Sequence, residues 1–139
     1  MDVYTAGYMA GPGSNRPDWR HDLEHCLLPN LDNIRWLHPG VPPGEEPGAG
    51  SADMFFPRDI LQIRHCDMMF AYLDLSIARC LGACGEIGFA YGLGIPIIMV
   101  DCSAGVRSLD FQRKMATAVF HTLEEGAEAL RFSAMGMPL

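Results

Sequence analysis

Residues 67–100 read DMMFAYLDLSIARCLGACGEIGFAYGLGIPIIMV, and this stretch decides the fold class. It begins with an apolar run at 67–74 that has an acid at each end, which is typical of a strand buried on both faces. A glycine-rich segment predicted as a helix at 83–93 follows, and a second apolar run at 95–100 predicts another buried strand. A strand, a helix and a strand in this order indicate a parallel strand pair joined by a helical crossover.

The same alternation extends to both sides of this unit. The further predicted elements are a strand at 2–6, a helix at 18–28, a strand at 33–37, a helix that begins at Pro57, a helix at 109–117, a strand at 118–121 and a final helix opened by a capping box at 122–125. We therefore predict an α/β fold with a doubly wound, parallel five-stranded sheet in one domain that spans residues 1–139.

The composition is that of an acidic, compact chain. Of 139 residues, 49% are hydrophobic, the formal net charge is −7 and the pI is near 5.0. An acidic balance disfavours nucleic acid polymers as partners, since their phosphates attract basic surfaces. Five cysteines, an odd number, and the lack of an apolar leader predict free thiols in the reducing cytoplasm. No apolar stretch reaches the roughly 18 residues of a membrane span, so we expect no membrane partner.

Glu86 is the only charged residue between Cys80 and Val100. An ionised carboxylate among apolar neighbours is costly unless it is paired or faces a polar cavity. Carboxylates kept in such places are candidate nucleophiles, acids or bases. Ligands of doubly wound sheets lie beyond the carboxyl ends of the strands, and we expect Glu86 to lie at that edge. The alternative is a glutamate on the solvated face of a surface helix.

Asp59 and Tyr4 are the predicted partners of Glu86. Asp59 is expected in the first turn of the helix that begins at Pro57, where the helix dipole would stabilise the carboxylate and lower its pKa. Stabilisation of the helix N-terminus could be the only role of Asp59. Together with Glu86, however, it would provide two carboxyl groups that flank a glycosidic bond, as retaining glycoside chemistry requires. Tyr4 is either a plain aromatic residue of the first strand or the hydroxyl that orients Glu86.

Loops supply further candidate contacts. Tyr8 and Met9 follow the first strand, and they either pack the loop or stack against a flat base. Ser14 and Arg16, in a glycine-rich loop before a helix, resemble a weak phosphate cradle. The Lys-Ser/Thr ending of the ATPase phosphate loop is absent, which argues against ATPase chemistry. Segment 38–52 is rich in proline and glycine and is predicted as a long loop of the kind that often forms a lid.

Metal chemistry has little support in the sequence. Cys80 and Cys84 are spaced i, i+4, but no Cys-x-x-Cys pair accompanies them, and we predict no metal site and no cofactor. Most of the five histidines are expected to face solvent. A cysteine nucleophile beside a histidine is an alternative that nothing in the pattern favours.

Four blocks of sequence, taken in order, resemble a known family. They are VYTAG at 3–7 with Trp19 and Arg20, then Arg58-Asp59-Ile60 with Ile63 and Cys66-Asp67, then AYLD at 71–74, and last G-x-x-x-E-I-G-x-A at 82–90 running into GIPII at 94–98. No single block is specific, but the ordered set is similar to the nucleoside 2-deoxyribosyltransferase family and its nucleotide N-glycosidase relatives.

The resemblance implies a fold, an assembly and a reaction. The fold is flavodoxin-like, and the assembly is a homodimer or a higher homo-oligomer in which a neighbouring subunit completes each pocket. Glu86 would attack C1′ of a 2-deoxyribosyl group and expel the base, Asp59 would exchange a proton with the base, and Tyr4 would support Glu86. The implied partners are a deoxynucleoside or deoxynucleotide substrate and a free nucleobase. The predicted substrate-binding residues are Gly7, Tyr8, Met9, Arg16, Trp19, Cys80, Gly82 and Ser108.

The chain departs from the family where substrate classes differ. Six residues before the nucleophile the transferases have an acid and the nucleotide hydrolases a serine, whereas this chain has Cys80. Four residues hint at a 5′-phosphate, namely Arg16, Ser103, Arg107 and Ser108. The leading hypothesis is a transferase that passes deoxyribose to another base. The alternatives are a hydrolase of (deoxy)nucleoside 5′-monophosphates, a non-catalytic nucleotide sensor and, with least support, an NAD-cleaving enzyme.

Overall fold

The computed structural model describes residues 1–8, 18–40, 52–74, 77–103 and 109–139, with the backbone alone for 52–55 and 77–80. The predicted loop at 38–52 lies largely outside these residues. None of the described helices has the length and apolar character needed to cross a membrane.

Strands and helices alternate along the described chain. In order they are β1 (Asp2–Gly7), α1 (Trp19–His21), a π-helix (Asp22–Leu27), β2 (Arg35–Leu37), α2 (Ala52–His65), β3 (Met68–Leu73), α3 (Ile77–Gly92), β4 (Ile97–Asp101), α4 (Asp110–Met115), β5 (Ala118–Phe120) and α5 (Leu123–Ala134). The capping box before α5 is present, because the Thr122 hydroxyl accepts from the Glu125 N–H and the Glu125 carboxylate accepts from the Thr122 N–H.

The five strands form one parallel sheet in the order β2-β1-β3-β4-β5. This is the strand order of flavodoxin-like proteins, and the predicted fold class is confirmed. The direction of winding reverses between β1 and β3, where Gly7 at the end of β1 lies opposite Tyr72. In sheets of this kind the crevice for ligands opens at the carboxyl ends of the two strands that flank the reversal.

Side chains alternate between two apolar layers, one on each face of the sheet. Tyr4 and its neighbours on β3 and β4 pack under α2, α3 and α4, whereas Val3 and its neighbours pack under α1, the π-helix and α5. Fully buried side chains such as Ile87 and Leu130 each contribute about 1.5–3 kcal/mol through burial. Because α2 and α3 cover the same face as Tyr4, residues on these helices can meet the Tyr4 side chain.

Two helices begin earlier than their sequence pattern predicts. Helix α2 begins at Ala52 and holds Pro57 in its interior, although a proline there removes one backbone hydrogen bond. Helix α3 begins at Ile77, ahead of the glycines that suggested a start at Ala83. The predictions that Asp59 lies in a first turn and that the helix containing Glu86 starts at Ala83 are therefore wrong.

Candidate active site

Tyr4 and Glu86 meet on the α3 side of the sheet. The Tyr4 hydroxyl donates to Glu86 Oε1 at 2.9 Å, and the Tyr4 side chain is fully buried. Burial, followed by the negative charge of Glu86, raises the pKa of Tyr4 far above its ordinary value, so the phenol stays protonated and available as a donor. The contact predicted between these two residues is thus present, and their catalytic roles stay predictions.

The position of Glu86 follows from the packing of α3. Ala83, Ile87 and Ala90 lie three residues before, one after and four after Glu86, and all three are buried against the sheet. At helical spacing these residues form the buried stripe of α3, and Glu86 lies at its border. The carboxylate is therefore directed toward Tyr4 and is partly buried, and the alternative of a solvated surface glutamate is wrong.

The surroundings of Glu86 act on its charge in opposite directions. Burial is the largest effect and raises the pKa of Glu86 above its ordinary value. The Tyr4 hydrogen bond lowers it, the negative charge of Asp59 raises it, and the Arg20 guanidinium lowers it. The net pKa is raised, which is typical of carboxyl groups in sites rather than on surfaces.

Asp59 lies eight residues into α2, close enough to Glu86 and Tyr4 to raise the pKa of both. Burial is the largest effect on Asp59 and raises its pKa. The Gly40 N–H, which donates to Asp59 Oδ1 at 3.0 Å, and the positive charge of Arg58 both lower it, but burial outweighs them. The predicted lowering of the Asp59 pKa is therefore wrong, because the carboxyl group is half-buried in the middle of a helix. The raised pKa extends the pH range over which Asp59 can hold a proton.

Arg20 is a buried cation that organises the end of β1. Its guanidinium donates to the Thr5 hydroxyl at 3.0 Å and to the carbonyls of Thr5, Gly7 and Tyr8 at 3.0 to 3.2 Å. Burial lowers the pKa of Arg20 to about 10, which leaves it protonated at neutral pH. The sequence pattern placed Arg20 in a family block without assigning it a role.

The chain after β2 is tied to both faces of the sheet. His38 Nδ1 lies 2.8 Å from the Thr5 hydroxyl and His38 Nε2 lies 3.0 Å from Glu24 Oε1, and the His38 side chain is partly buried. The other four histidines are exposed, as predicted for most of them. Two residues later, Gly40 adopts φ of +69° and points its N–H at Asp59. These contacts hold the start of segment 38–52 over the edge where Asp59 lies.

Trp19 and Gly7 support the beginning of the predicted base-binding loop from the core side. Trp19 is buried and stacked on Tyr72, with ring centroids 5.1 Å apart, and its indole N–H donates to the Tyr8 carbonyl at 3.0 Å. Gly7 has φ of +152°, and a Cβ there would meet the Tyr72 carbonyl at 2.6 Å. Only glycine fits this approach of β1 to β3.

The structure describes little of the surroundings of the remaining predicted substrate-binding residues. Met9, Arg16 and Ser108 lie outside the described residues, as does the side chain of Cys80, whose backbone belongs to α3. Gly82 lies in α3 with open space around its Cα, and a methyl group added there would have no described atom within 4 Å. The predicted substrate contact of each of these residues stays a prediction.

A polar cluster of Asp101, Ser103 and Arg113 lies at the end of β4. The buried Asp101 accepts from the Ser103 N–H at 2.9 Å and from Arg113 Nε at 2.6 Å. Burial works to raise the pKa of Asp101, but hydrogen bonds from Ser103 and Arg113 outweigh it and hold the pKa below its ordinary value. The cluster ties the two ends of the segment that contains Ser108.

Comparisons with known proteins identify a family and a shared fold. The sequence model of the family described as nucleoside 2-deoxyribosyltransferase matches residues 8–119, which is well over half of the 139-residue chain. A search of curated proteins gave no match. A matching solved structure is that of a conserved protein from Enterococcus faecalis V583, which is 19% identical with a TM-score of 0.67 over 95% of this chain and 98% of that chain. This likeness shows the fold alone, whereas the family match spans α2, β3, α3 and β4, and by it the chain belongs to the nucleoside 2-deoxyribosyltransferase family.

Proposed function

We propose that the protein cleaves the N-glycosidic bond of 2′-deoxynucleosides or their 5′-monophosphates through a covalent glycosyl-Glu86 intermediate and passes the deoxyribose to another base. The observation that carries this proposal is the hydrogen bond from the buried Tyr4 to the partly buried Glu86, with Asp59 close to both. Membership of the family supports the nucleoside as substrate and the base as partner.

The first step makes use of the different surroundings of the two carboxyl groups. Ionised Glu86 attacks C1′ on the face opposite the base, the bond from C1′ to the base nitrogen breaks, and its electron pair goes to the base. Asp59 then donates its proton to the base, which the raised pKa of Asp59 supports. The Tyr4 hydroxyl and the Arg20 charge favour the ionised form of Glu86 before the attack.

In the second step Asp59 acts as the base and Glu86 is the leaving group. An incoming base gives its N–H proton to Asp59 and attacks C1′, and Glu86 leaves as a carboxylate. Two displacements at the same carbon retain its configuration. Water in place of the incoming base would give hydrolysis, so exclusion of water from the glycosyl-enzyme decides between transfer and hydrolysis.

One observation favours the second candidate, a hydrolase of (deoxy)nucleoside 5′-monophosphates. Arg58 lies beside Asp59, with Nη2 at 3.9 Å from Asp59 Oδ1, and its Nε and Nη2 atoms are buried without a hydrogen-bond partner among the described residues. A guanidinium with open donors is suited to an anionic substrate group such as a phosphate. The deciding comparison is between a deoxynucleoside and its 5′-monophosphate.

Base release and base exchange test the proposed function. The protein is incubated with each deoxynucleoside or 5′-monophosphate, with and without a second free base, and the products are separated by chromatography. Exchange of bases supports the transferase, and release into water alone supports the hydrolase. Glu86→Gln is expected to lose activity by 10⁴-fold or more, on the order of the loss when other covalent nucleophiles are removed. Glu128→Gln, an exposed carboxylate on α5, is the matched control and should keep full activity.

A fluorinated substrate tests the covalent step directly. A 2′-fluoro nucleoside slows the release of the sugar, so that a glycosyl adduct accumulates and adds its mass to the peptide that contains Glu86. An adduct on another residue, or turnover by Glu86→Gln at the wild-type rate, would contradict the mechanism. Nucleotide binding without any turnover by the wild-type protein would instead favour the sensor.

We also propose that the protein forms a homodimer or a higher homo-oligomer. The outward side of α3 carries exposed apolar side chains, with Leu81 67% and Tyr91 57% exposed, beside glycines that leave room for close approach. A helix side with exposed apolar side chains and room for close approach would suit contact with a second copy of the chain. Sedimentation velocity on the purified protein measures the state directly, and a monomer at all concentrations would contradict the proposal.

A further inference from the structure

Four side chains that are suited to metal coordination lie together on the outer side of α1 and the π-helix. One ligand atom each from His21, Asp22 and Cys26 lies within 4.8 Å of the other two. The His25 ring is next to that of His21, with centroids 4.9 Å apart. The group contacts neither Tyr4 nor Glu86, so the proposed reaction does not account for it.

The π-helix is what brings these residues together. Its i→i+5 bonding is seen where the Leu28 N–H donates to the Leu23 carbonyl at 3.0 Å. This wider turn stacks residues five apart, and His21 therefore comes to lie over Cys26. In a regular α-helix the two would be rotated about 140° from each other and could not share a ligand. The sequence pattern overlooked this group, although His21 and His25 are spaced i, i+4.

We propose that His21, Asp22 and Cys26 bind a divalent zinc ion, with His25 or water as the fourth ligand. A set of one imidazole, one carboxylate and one thiolate is typical of Zn²⁺ among common cellular metals. Tetrahedral Zn²⁺ with bonds of about 2.0–2.3 Å places ligand atoms about 3.3–3.8 Å apart. The side chains are exposed or partly exposed, and small rotations would close the group around the ion. The Cys26 thiol gives its proton to solvent when the sulfur binds.

The position of the site indicates what the ion would do. It would link the last residue of α1 to the last turn of the π-helix on their outer side. The inner side of the same segment carries Arg20, which holds the end of β1, and Glu24, which holds His38. Zinc would therefore stabilise the π geometry that positions both residues.

Cobalt provides the first test, with tag-free protein reduced by a phosphine. Co²⁺ is titrated into the protein, and a thiolate-to-cobalt charge-transfer band is expected that saturates at one ion per chain and disappears when Zn²⁺ is added. Cys26→Ser should lose the band, whereas Cys102→Ser, a thiol outside the group, should keep it. No band, or a band that survives in Cys26→Ser, would overturn the proposal.

Affinity and stability provide the second test. Zn²⁺ affinity, measured by competition with a chromophoric chelator, should fall about 10-fold or more in His21→Asn and in Cys26→Ser and should not change in His65→Asn, an exposed histidine of α2. Zinc should raise the melting temperature of the wild-type protein and not that of Cys26→Ser. Equal affinity in all variants, or one ion per two chains with concurrent dimerisation, would overturn the site within one chain. Circular dichroism of each variant without metal confirms that it is folded.

Discussion

Replacement of Tyr4 by phenylalanine removes one hydroxyl from a fully buried side chain and leaves its packing intact. The lost hydrogen bond, 2.9 Å long, is donated to a carboxylate. A hydrogen bond to a charged group contributes about 1.5–3 kcal/mol to the free energy of unfolding, against about 0.5–1.5 kcal/mol for a bond between neutral groups. The cost of Tyr4→Phe should therefore depend on whether Glu86 is ionised.

The pH dependence follows from the raised pKa of Glu86. In the unfolded chain Glu86 titrates near 4.5, and in the folded protein burial raises its pKa above that value while Tyr4 opposes the rise. Below pH 4.5 Glu86 is protonated in both states and Tyr4→Phe removes a neutral bond. As the pH rises through the folded pKa the carboxylate ionises, and the variant loses more stability because nothing replaces the Tyr4 donor. The cost should grow by about 1–1.5 kcal/mol between acidic and neutral pH.

Urea denaturation followed by circular dichroism measures this difference at pH 4 and pH 8. The same substitution is then made in the Glu86→Gln background, where no charge can develop and the cost should stay small at both pH values. Glu86→Gln alone should raise the free energy of unfolding at pH 8, because it removes a buried charge. An equal cost of Tyr4→Phe at both pH values, or in both backgrounds, would refute the reasoning.

Two further predictions concern stability. Gly126→Ala should lower the free energy of unfolding by about 1–3 kcal/mol, because its methyl group would collide with Val100 on β4, while Gly85→Ala, with no described atom within 4 Å, should raise it by up to about 1 kcal/mol. Thermal melts of the two variants compare them, and a stabilised Gly126→Ala would contradict the packing. Arg113→Ala should cost on the order of 3 kcal/mol at pH 7, since it leaves the buried Asp101 carboxylate with fewer donors. Because the Asp101 pKa is held below its ordinary 3.8, the cost of Arg113→Ala should shrink as the pH falls below that value. Urea denaturation at pH 7 and pH 3 measures the cost. An equal cost at both pH values would contradict a stabilising interaction between Arg113 and the Asp101 charge.

The sheet could be predicted from the sequence because its strands are apolar on both faces. Runs such as 68–73 and 97–101 have no competing periodicity, and their ends were placed within two residues. The helix starts were harder to predict. Pro57 is favourable in a first turn, so it suggested a beginning where the chain is in fact already helical. Packing of α2 on the sheet, which a local pattern cannot contain, outweighs the lost hydrogen bond.

Some residues of the candidate site could be predicted from the sequence and others could not. Glu86 could be recognised because it is the only charged residue in a long apolar stretch. The sequence left two alternatives open for Tyr4, and the resemblance to the family implied that it supports Glu86. Arg20 and His38 were not recognisable as supports, since each acts through contacts with segments distant in sequence. The left-handed Gly40 that donates to Asp59 has no local signature beyond the glycine itself.

The proposed mechanism asks one carboxyl group to attack the sugar and a second one to protonate the base. Each lies where burial raises its pKa, and the charge of Asp59 raises the pKa of Glu86 further. Two nearby groups that repel each other's charge favour a state with one proton between them. The Tyr4 hydroxyl donates to Glu86 and favours its ionised form, while the Gly40 N–H and the Arg58 charge act in the same direction on Asp59. The proposed cleavage needs an ionised Glu86 as the nucleophile and a protonated Asp59 as the acid, and a pH profile of base release with the wild-type protein and with Asp59→Asn tests this assignment.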